Sequence, residues 1–171
     1  MSDSYFITLA RYNKWANRRL YDACAQLHEA EYLKPRPAFF GSLHGTLNHI
    51  LIADRIWIAR LQHKPNPKLT LDQILYGDFL GLRVAREAED DHIINVVASI
   101  SARMLDEKLA YANMAGERRQ TGLRYVLAHF FNHQTHHRGQ AHGLLSATGV
   151  APPSLDLIYF MSEQGAAEAS G

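Results

Sequence analysis

Apolar residues recur at intervals of three and four along most of the chain, and strict alternation is scarce, so the pattern predicts helices. From Ser4 to about His28, Tyr5, Leu9, Tyr12, Ala16, Leu20, Ala23 and Leu27 form one stripe, with Ser2, Asp3 or Ser4 available as N-cap. The proline-containing loop KPRPAFFG follows. Ser42 then caps a second helix that runs to about His63 and is stopped by KPNPK. Its stripe is Leu43, Leu47, Ile50, Trp57 and Leu61, yet Ile52 and Ile56 lie on the far side, which predicts burial on more than one face. Thr70 and Gln73 fit a capping box and predict a short helical turn over Leu71–Leu75.

A third long helix is predicted from Asp78 to about Leu105, with the charged run REAEDD in its middle read as a solvated face. Leu109–Gln120 reads as a linker with room for a short hairpin. The fourth helix is predicted from near Thr121 to Thr148–Gly149, with Pro152 and Pro153 beyond it. Residues 163–171 read as a mobile tail. There is no internal repeat and no domain linker. Four long amphipathic helices imply one all-α domain over residues 1–171, an antiparallel four-helix bundle.

Composition narrows the class of protein. A chain of 171 residues, 47% apolar and 20% charged, suits one soluble domain with a sizeable core. A formal charge of +1 gives no electrostatic reason to expect nucleic acid or an anionic membrane. Cys24 is the only cysteine, so no internal disulfide forms and a cytoplasmic setting is expected. The N-terminus has no basic segment followed by an apolar core, and no apolar run is long enough to span a bilayer. Cys24 reads as a small core residue rather than a nucleophile.

The candidate chemistry lies in histidine. The chain has ten, and His129, His133, His136 and His137 crowd into AHFFNHQTHHRGQ. His133 and His137 stand four residues apart, an offset of about 40° on a helix, so both imidazoles leave one face and reach a common metal ion. On the same wheel His129 and Gln140 fall close to His133, as do Val126, Phe130 and Leu144, so the cluster is expected on the stripe that faces the core. Arg138 and His142 fall on the opposite, solvent side. Gly139 and Gly143 form a strip of small residues that suggests close approach of a neighbouring helix. Without a metal, such histidines would need hydrogen bonds to each other, to Asn48 or to tyrosines. The glutamate of H-E-x-x-H is absent, which excludes the zinc-peptidase motif.

The candidates for a third ligand on other helices are His28, His44, His49, His63 and His92, with His129 of the same stripe in reserve. His28 and His63 sit at helix ends and His92 in a charged run, which leaves the mid-helix His49 favoured. The strongest apolar stripe of its helix nevertheless lies more than about 100° from it. Asp54 falls within that stripe and reads as a buried carboxylate paired with an Arg or Tyr of the first helix, or as a group supporting the site. Glu89 and His92 supply one E-x-x-H, but a di-iron bundle needs two.

Tyr12–Leu20 (YNKWANRRL), Leu47–Leu61 (LNHILIADRIWIARL), His129–Gln140 (HFFNHQTHHRGQ) and the closing GVAPPSLDLIYF together resemble the DinB family, damage-inducible four-helix proteins of bacteria. The resemblance covers almost the whole chain. It implies an up-down-down-up bundle with a divalent metal held by His49, His133 and His137, and His129, Gln140 and Asp54 near the pocket. Relatives of this kind include metal-dependent S-transferases that use low-molecular-weight thiols, and homodimers are common among them. The expected cofactor is a divalent transition metal, zinc or nickel foremost, and the expected partner a small molecule such as a thiol. Two functions follow: a metal-dependent transferase or hydrolase, or a non-catalytic metal-binding stress-response module. An open coordination position among polar groups favours the first, a closed apolar shell the second.

Overall fold

The computed structural model describes residues 4–169. The helices are α1 (Ser4–Cys24), α2 (Glu29–Leu33), α3 (Leu43–Leu61), α4 (Phe79–Ser99), α5 (Leu123–Leu145) and α6 (Leu157–Ala169). Strands β1 (Lys108–Ala112) and β2 (Arg118–Gly122) pair antiparallel ahead of α5, with Leu109 opposite Thr121 and Tyr111 opposite Arg119. Ser42 caps α3 as expected, its hydroxyl accepting from the Gly45 amide at 2.9 Å. The hairpin turn is closed by the Asn113 side chain, which accepts from the amides of Ala115 and Glu117, and by Gly116 at φ +80°. Among the described residues, no helix is long and apolar enough to cross a membrane.

Side-chain pairs across the four long helices give their directions. Asn13 meets Asp90 and Asp22 meets Arg83, so α1 and α4 are antiparallel. Asp54 meets Arg86, and Gln62 at the end of α3 meets His92, so α3 and α4 are parallel. Asp54 meets Gln134 and His49 meets His137, so α3 and α5 are antiparallel. Phe6 stacks on Phe131 and Asn13 meets Arg138, so α1 and α5 are parallel. The result is an up-down-down-up bundle.

Its apolar core has two main parts and a small third one, Tyr12, Ala16 and Phe160, beneath α6. Towards the hairpin, Phe6, Ile58, Ile93, Val97, Leu127 and Phe130 pack together, and towards the other end Leu20, Leu43, Leu47, Leu51, Leu82 and Leu145 do so. Between them a belt of buried polar groups crosses all four helices: Asn13 and Asn17, Asp54, Arg86 and Asp90, Gln134 and Arg138. Arg86 donates to Asp54 at 2.6 Å and lies 3.0 Å from Asp90. Gln134 donates to the second Asp54 oxygen at 2.9 Å. Asn17 and Asn13 donate to Asp90 and accept from Arg138 through their own oxygens. Two carboxylates and two guanidinium groups therefore balance within the belt, the condition for burying charge at acceptable cost. Burial works against the charge on Arg86, but Asp90 and Asp54 beside it hold its pKa above the ordinary arginine value.

Several sequence expectations change here. REAEDD is not simply a solvated face: Arg86, Glu89 and Asp90 are buried, and Glu87 and Asp91 face water. Asp54 is the buried carboxylate expected, but its arginine comes from α4, not from the first helix. The third helix stops at Ser99, and a single 3₁₀ turn at Met104–Asp106 leads into the hairpin. Leu71–Leu75 forms no helix. Gln73 does reach back to the Thr70 amide at 3.4 Å, but Asn48 of α3 holds the segment, its side-chain oxygen accepting from the amides of Leu75 and Tyr76.

The segment expected as a tail is helical as far as it is described. Residues 163–169 complete α6, with Phe160 packed on Tyr12 and Trp15. Glu163 accepts from the Trp15 indole at 2.8 Å and pairs with Arg19. A short apolar run, Leu157–Met161, followed by small and polar residues hid this helix from periodicity. Residues 170–171 lie outside the described residues, as do the candidate caps Ser2 and Asp3.

Candidate metal centre

Ring nitrogens of His49, His133 and His137 lie within 4.8 Å of one another. His49 projects from the middle of α3, and His133 and His137 from successive turns of α5. Because α3 and α5 run antiparallel in contact, position 49 falls level with the α5 pair. The sequence difficulty over His49 dissolves because α3 is buried on nearly every side, so facing away from the strongest stripe does not place a residue in water.

Neighbouring oxygens select the tautomers. His49 Nδ1 stands 2.8 Å from the Leu71 carbonyl oxygen, so it carries the proton and donates. His137 Nδ1 stands 2.8 Å from Gln140 Oε1, and the Gln140 amide nitrogen faces His136 Nε2 at 3.2 Å. In this orientation Gln140 accepts from His137 and donates to His136. Both Nε2 atoms are therefore left with bare lone pairs, and they face each other at 3.3 Å.

Two lone pairs at that distance repel unless a cation lies between them. A proton is a poor one here: burial lowers the pKa of His49 to about 4, against the favourable Leu71 bond, and burial also lowers that of His137. A tetrahedral ion bound at 2.0–2.1 Å sets its ligand nitrogens roughly 3.3 Å apart, which matches the observed edge. The donor set thus fits a divalent transition ion. Phe40 stacks on the His49 ring at 3.8 Å between centroids and sets its edge to His137, closing one side of the cluster.

The remaining site residues separate. Gln140 orients His137, the role of a group behind a ligand. His129 is not in the close set; it lies a turn away, 5.9 Å from His133 between ring centroids and 5.1 Å from Trp57. Asp54 belongs to the polar belt, with its oxygens engaged by Arg86 and Gln134. His44 meets the alternative foreseen for unmetallated histidines: it bonds Tyr32 at 2.9 Å and Asn48 at 3.3 Å. Cys24 is buried, and burial pushes its thiol up to about 12, which makes it inert at neutral pH.

The wheel placed the α5 faces wrongly. The line that enters the core runs through Leu127, Phe130, Gln134, Arg138, Ala141 and Leu145, and the histidines flank it. Arg138 is 2% exposed rather than solvated, and His142 is half-buried, donating to the Pro153 carbonyl at 3.0 Å. Gly139 and Gly143 do not admit a neighbouring helix; a Cβ at either would meet nothing within 4 Å. Phe40 and the Leu71 carbonyl had no sequence signal, since both depend on the path of loops.

An up-down-down-up bundle with three imidazoles converging from two antiparallel helices defines a class of histidine-centred helical proteins suited to one metal ion. The chain belongs to the DinB family, whose model it matches over residues 1–169. It is 26% identical to Protein DinB of Bacillus subtilis (strain 168) over 175 residues, covering 95% of this chain and 98% of that protein. A crystal structure of a DinB-like protein from Bacillus cereus ATCC 10987 superposes with a TM-score of 0.68 at 16% identity, over 90% of this chain and 97% of the other. A second, from Bacillus subtilis, gives 0.61 at 14% identity, over 86% and 96%. These structures share the fold.

Proposed function

We propose that this protein is a metal-dependent enzyme of thiol S-transferase or hydrolase type, with a divalent ion, zinc or nickel, held by the Nε2 atoms of His49, His133 and His137. The observation that carries the reading is the pair of bare Nε2 atoms facing each other at 3.3 Å, each with its Nδ1 proton already committed. An ion with three neutral imidazoles keeps its full charge and an open position, and so supplies Lewis acidity that eases loss of a proton from water or a thiol. The chain's part is orientation: the Leu71 carbonyl and Gln140 hold two rings in the ligating tautomer, and Phe40 excludes water from one side. His129 and His136 are exposed beside the cluster and are the groups positioned to meet an incoming substrate. The small-molecule partner is a low-molecular-weight thiol, and the setting a cytoplasmic homodimer, in keeping with the single buried cysteine and the family resemblance.

The test uses untagged protein, because a polyhistidine tag or nickel column obscures the native metal. Elemental analysis is expected to give one divalent ion per chain. In protein reconstituted with Co²⁺, a small thiol is expected to produce a new sulfur-to-metal charge-transfer band. If neither thiols nor small anions change that spectrum, the position is closed and the non-catalytic metal-binding module becomes the correct reading.

A further inference from the structure

A sizeable cavity lies away from the histidines. It has a volume of about 430 Å³ and lies on the opposite side of α5, between that helix, Tyr12 of α1 and the strap 152–156 that leads into α6. Cavities of this size hold small organic molecules.

We propose that this cavity is a second binding site, for a small monocarboxylate with an apolar body. Arg138 supplies the charge. Its guanidinium lines the cavity although the residue is 2% exposed. One nitrogen, NH1, faces inward to the neutral oxygens of Asn13 and Asn17, while Asp90 stands behind those two amides. The other, NH2, meets the Thr135 hydroxyl at 3.5 Å, at the limit of a hydrogen bond, and Tyr12 on the cavity wall also bonds the guanidinium and faces it with its ring. A carboxylate placed there would accept from NH2 and from the Thr135 hydroxyl together, a charge-assisted arrangement.

The walls select the class. Pro152, Pro153, Leu155 and the Tyr12 ring present apolar surface to the rest of the ligand. His142 already donates to Pro153, and Asp156 on the lining adds a negative charge that disfavours a dianion. The strap is tied down at both ends of the cavity, by Tyr12 donating to the Leu155 carbonyl at 2.7 Å and by His142 to Pro153. Gly139, which has no packing reason to lack a side chain, lines the same space and leaves it open.

The experiment is a titration of the full-length, ¹⁵N-labelled protein with benzoate, acetate and inorganic phosphate, followed at the amides of Thr135, Gly139 and Ser154. Benzoate is expected to shift them saturably at millimolar concentration, acetate to bind at least about fivefold more weakly, and phosphate to leave them unmoved. Gly139→Leu, which fills the cavity without entering the core, is expected to abolish the shifts. Arg138→Gln is expected to weaken benzoate at least about tenfold. Because Arg138→Gln also disturbs the belt, the glycine variant decides the outcome if the arginine variant does not fold. His133→Ala separates this site from the metal centre and is expected to leave benzoate binding intact. No benzoate shift, shifts that survive Gly139→Leu, shifts that vanish in His133→Ala, or phosphate binding as tightly as benzoate would each overturn the proposal.

Discussion

At His49 and His137 the informative atoms are the ones turned away from the metal position. Each Nδ1 proton is held by an oxygen that can only accept, so each ring presents its Nε2 lone pair. His133→Ala or His137→Ala is therefore expected to abolish stoichiometric metal in elemental analysis, whereas His142→Ala, whose ring is bound to Pro153, leaves it intact. Equal loss from all three would refute the assignment. Gln140→Leu removes the group that orients His137 and is expected to weaken metal affinity roughly 10- to 100-fold, measured by competition with a chelator.

Protonation of the same rings sets a pH dependence. Burial holds His49 at about 4 and His133 at about 3, below the usual histidine value, so the unfolded chain binds more protons than the folded one between those values and about 6.5. Stability of the metal-free protein is thus full above about 6.5 and falls on acidification, by at most about 1.4 kcal/mol per pH unit for each group. Asp54, raised by burial to about 6, contributes the opposite slope over part of this range, so the check compares urea denaturation of the protein and of His133→Ala from pH 7 to pH 4; an unchanged slope would show that His133 is not buried neutral.

At the scale of the element, α3 and α5 show why part of the site was legible and part was not. The i, i+4 spacing of His133 and His137, and Gln140 one turn on, could be read directly because local helical geometry alone places them. His49 needed the family resemblance, since a helix buried all round offers the wheel no solvent face as reference. On α5 the wheel failed for a related reason: Gln134 and Arg138 are polar, yet they occupy the core line, so counting apolar residues rotated the inferred face towards the histidines. α6 was missed because its large apolar residues sit in one short run, Leu157–Met161, and the residues after it are small or polar, which leaves no helical stripe to read.

Asn48, buried in α3, does for the loop what no periodicity signals. It binds both Leu75 and Tyr76 amides and so holds the segment whose Leu71 carbonyl orients His49. Asn48→Ala is expected to cost about 1–3 kcal/mol in urea denaturation, because it strands buried amides, and to increase amide exchange across residues 71–76. Unchanged exchange there would separate the loop from Asn48.

For the whole molecule the polar belt is the feature with the widest reach. Asp54 is 1% exposed, bonded to Arg86 of α4 and Gln134 of α5, and burial raises its carboxyl to about 6 despite both partners. Asp54→Ala leaves Arg86 without that partner in the interior, with an expected loss of about 3–5 kcal/mol by calorimetry or denaturant. A loss under about 1 kcal/mol would mean the belt is solvated in solution. The overall fold was readable because four amphipathic stretches and short connections admit few arrangements. The belt was not, since REAEDD looks the same whether it faces water or three other helices.

Asp54 bridges to Gln134, and His133 is the next residue along α5, so the belt also acts as a ruler for the bundle. It fixes how far along its axis α3 stands relative to α5, and hence the gap that an ion must fill. Sliding one helix by a single residue moves it about 1.5 Å and would strip Asp54 of its partners. An ion of the wrong radius therefore has to displace a buried charge network as well as three imidazoles. Selectivity in such a bundle is set from its interior: two chains with the same three histidines but different belts would prefer different metals.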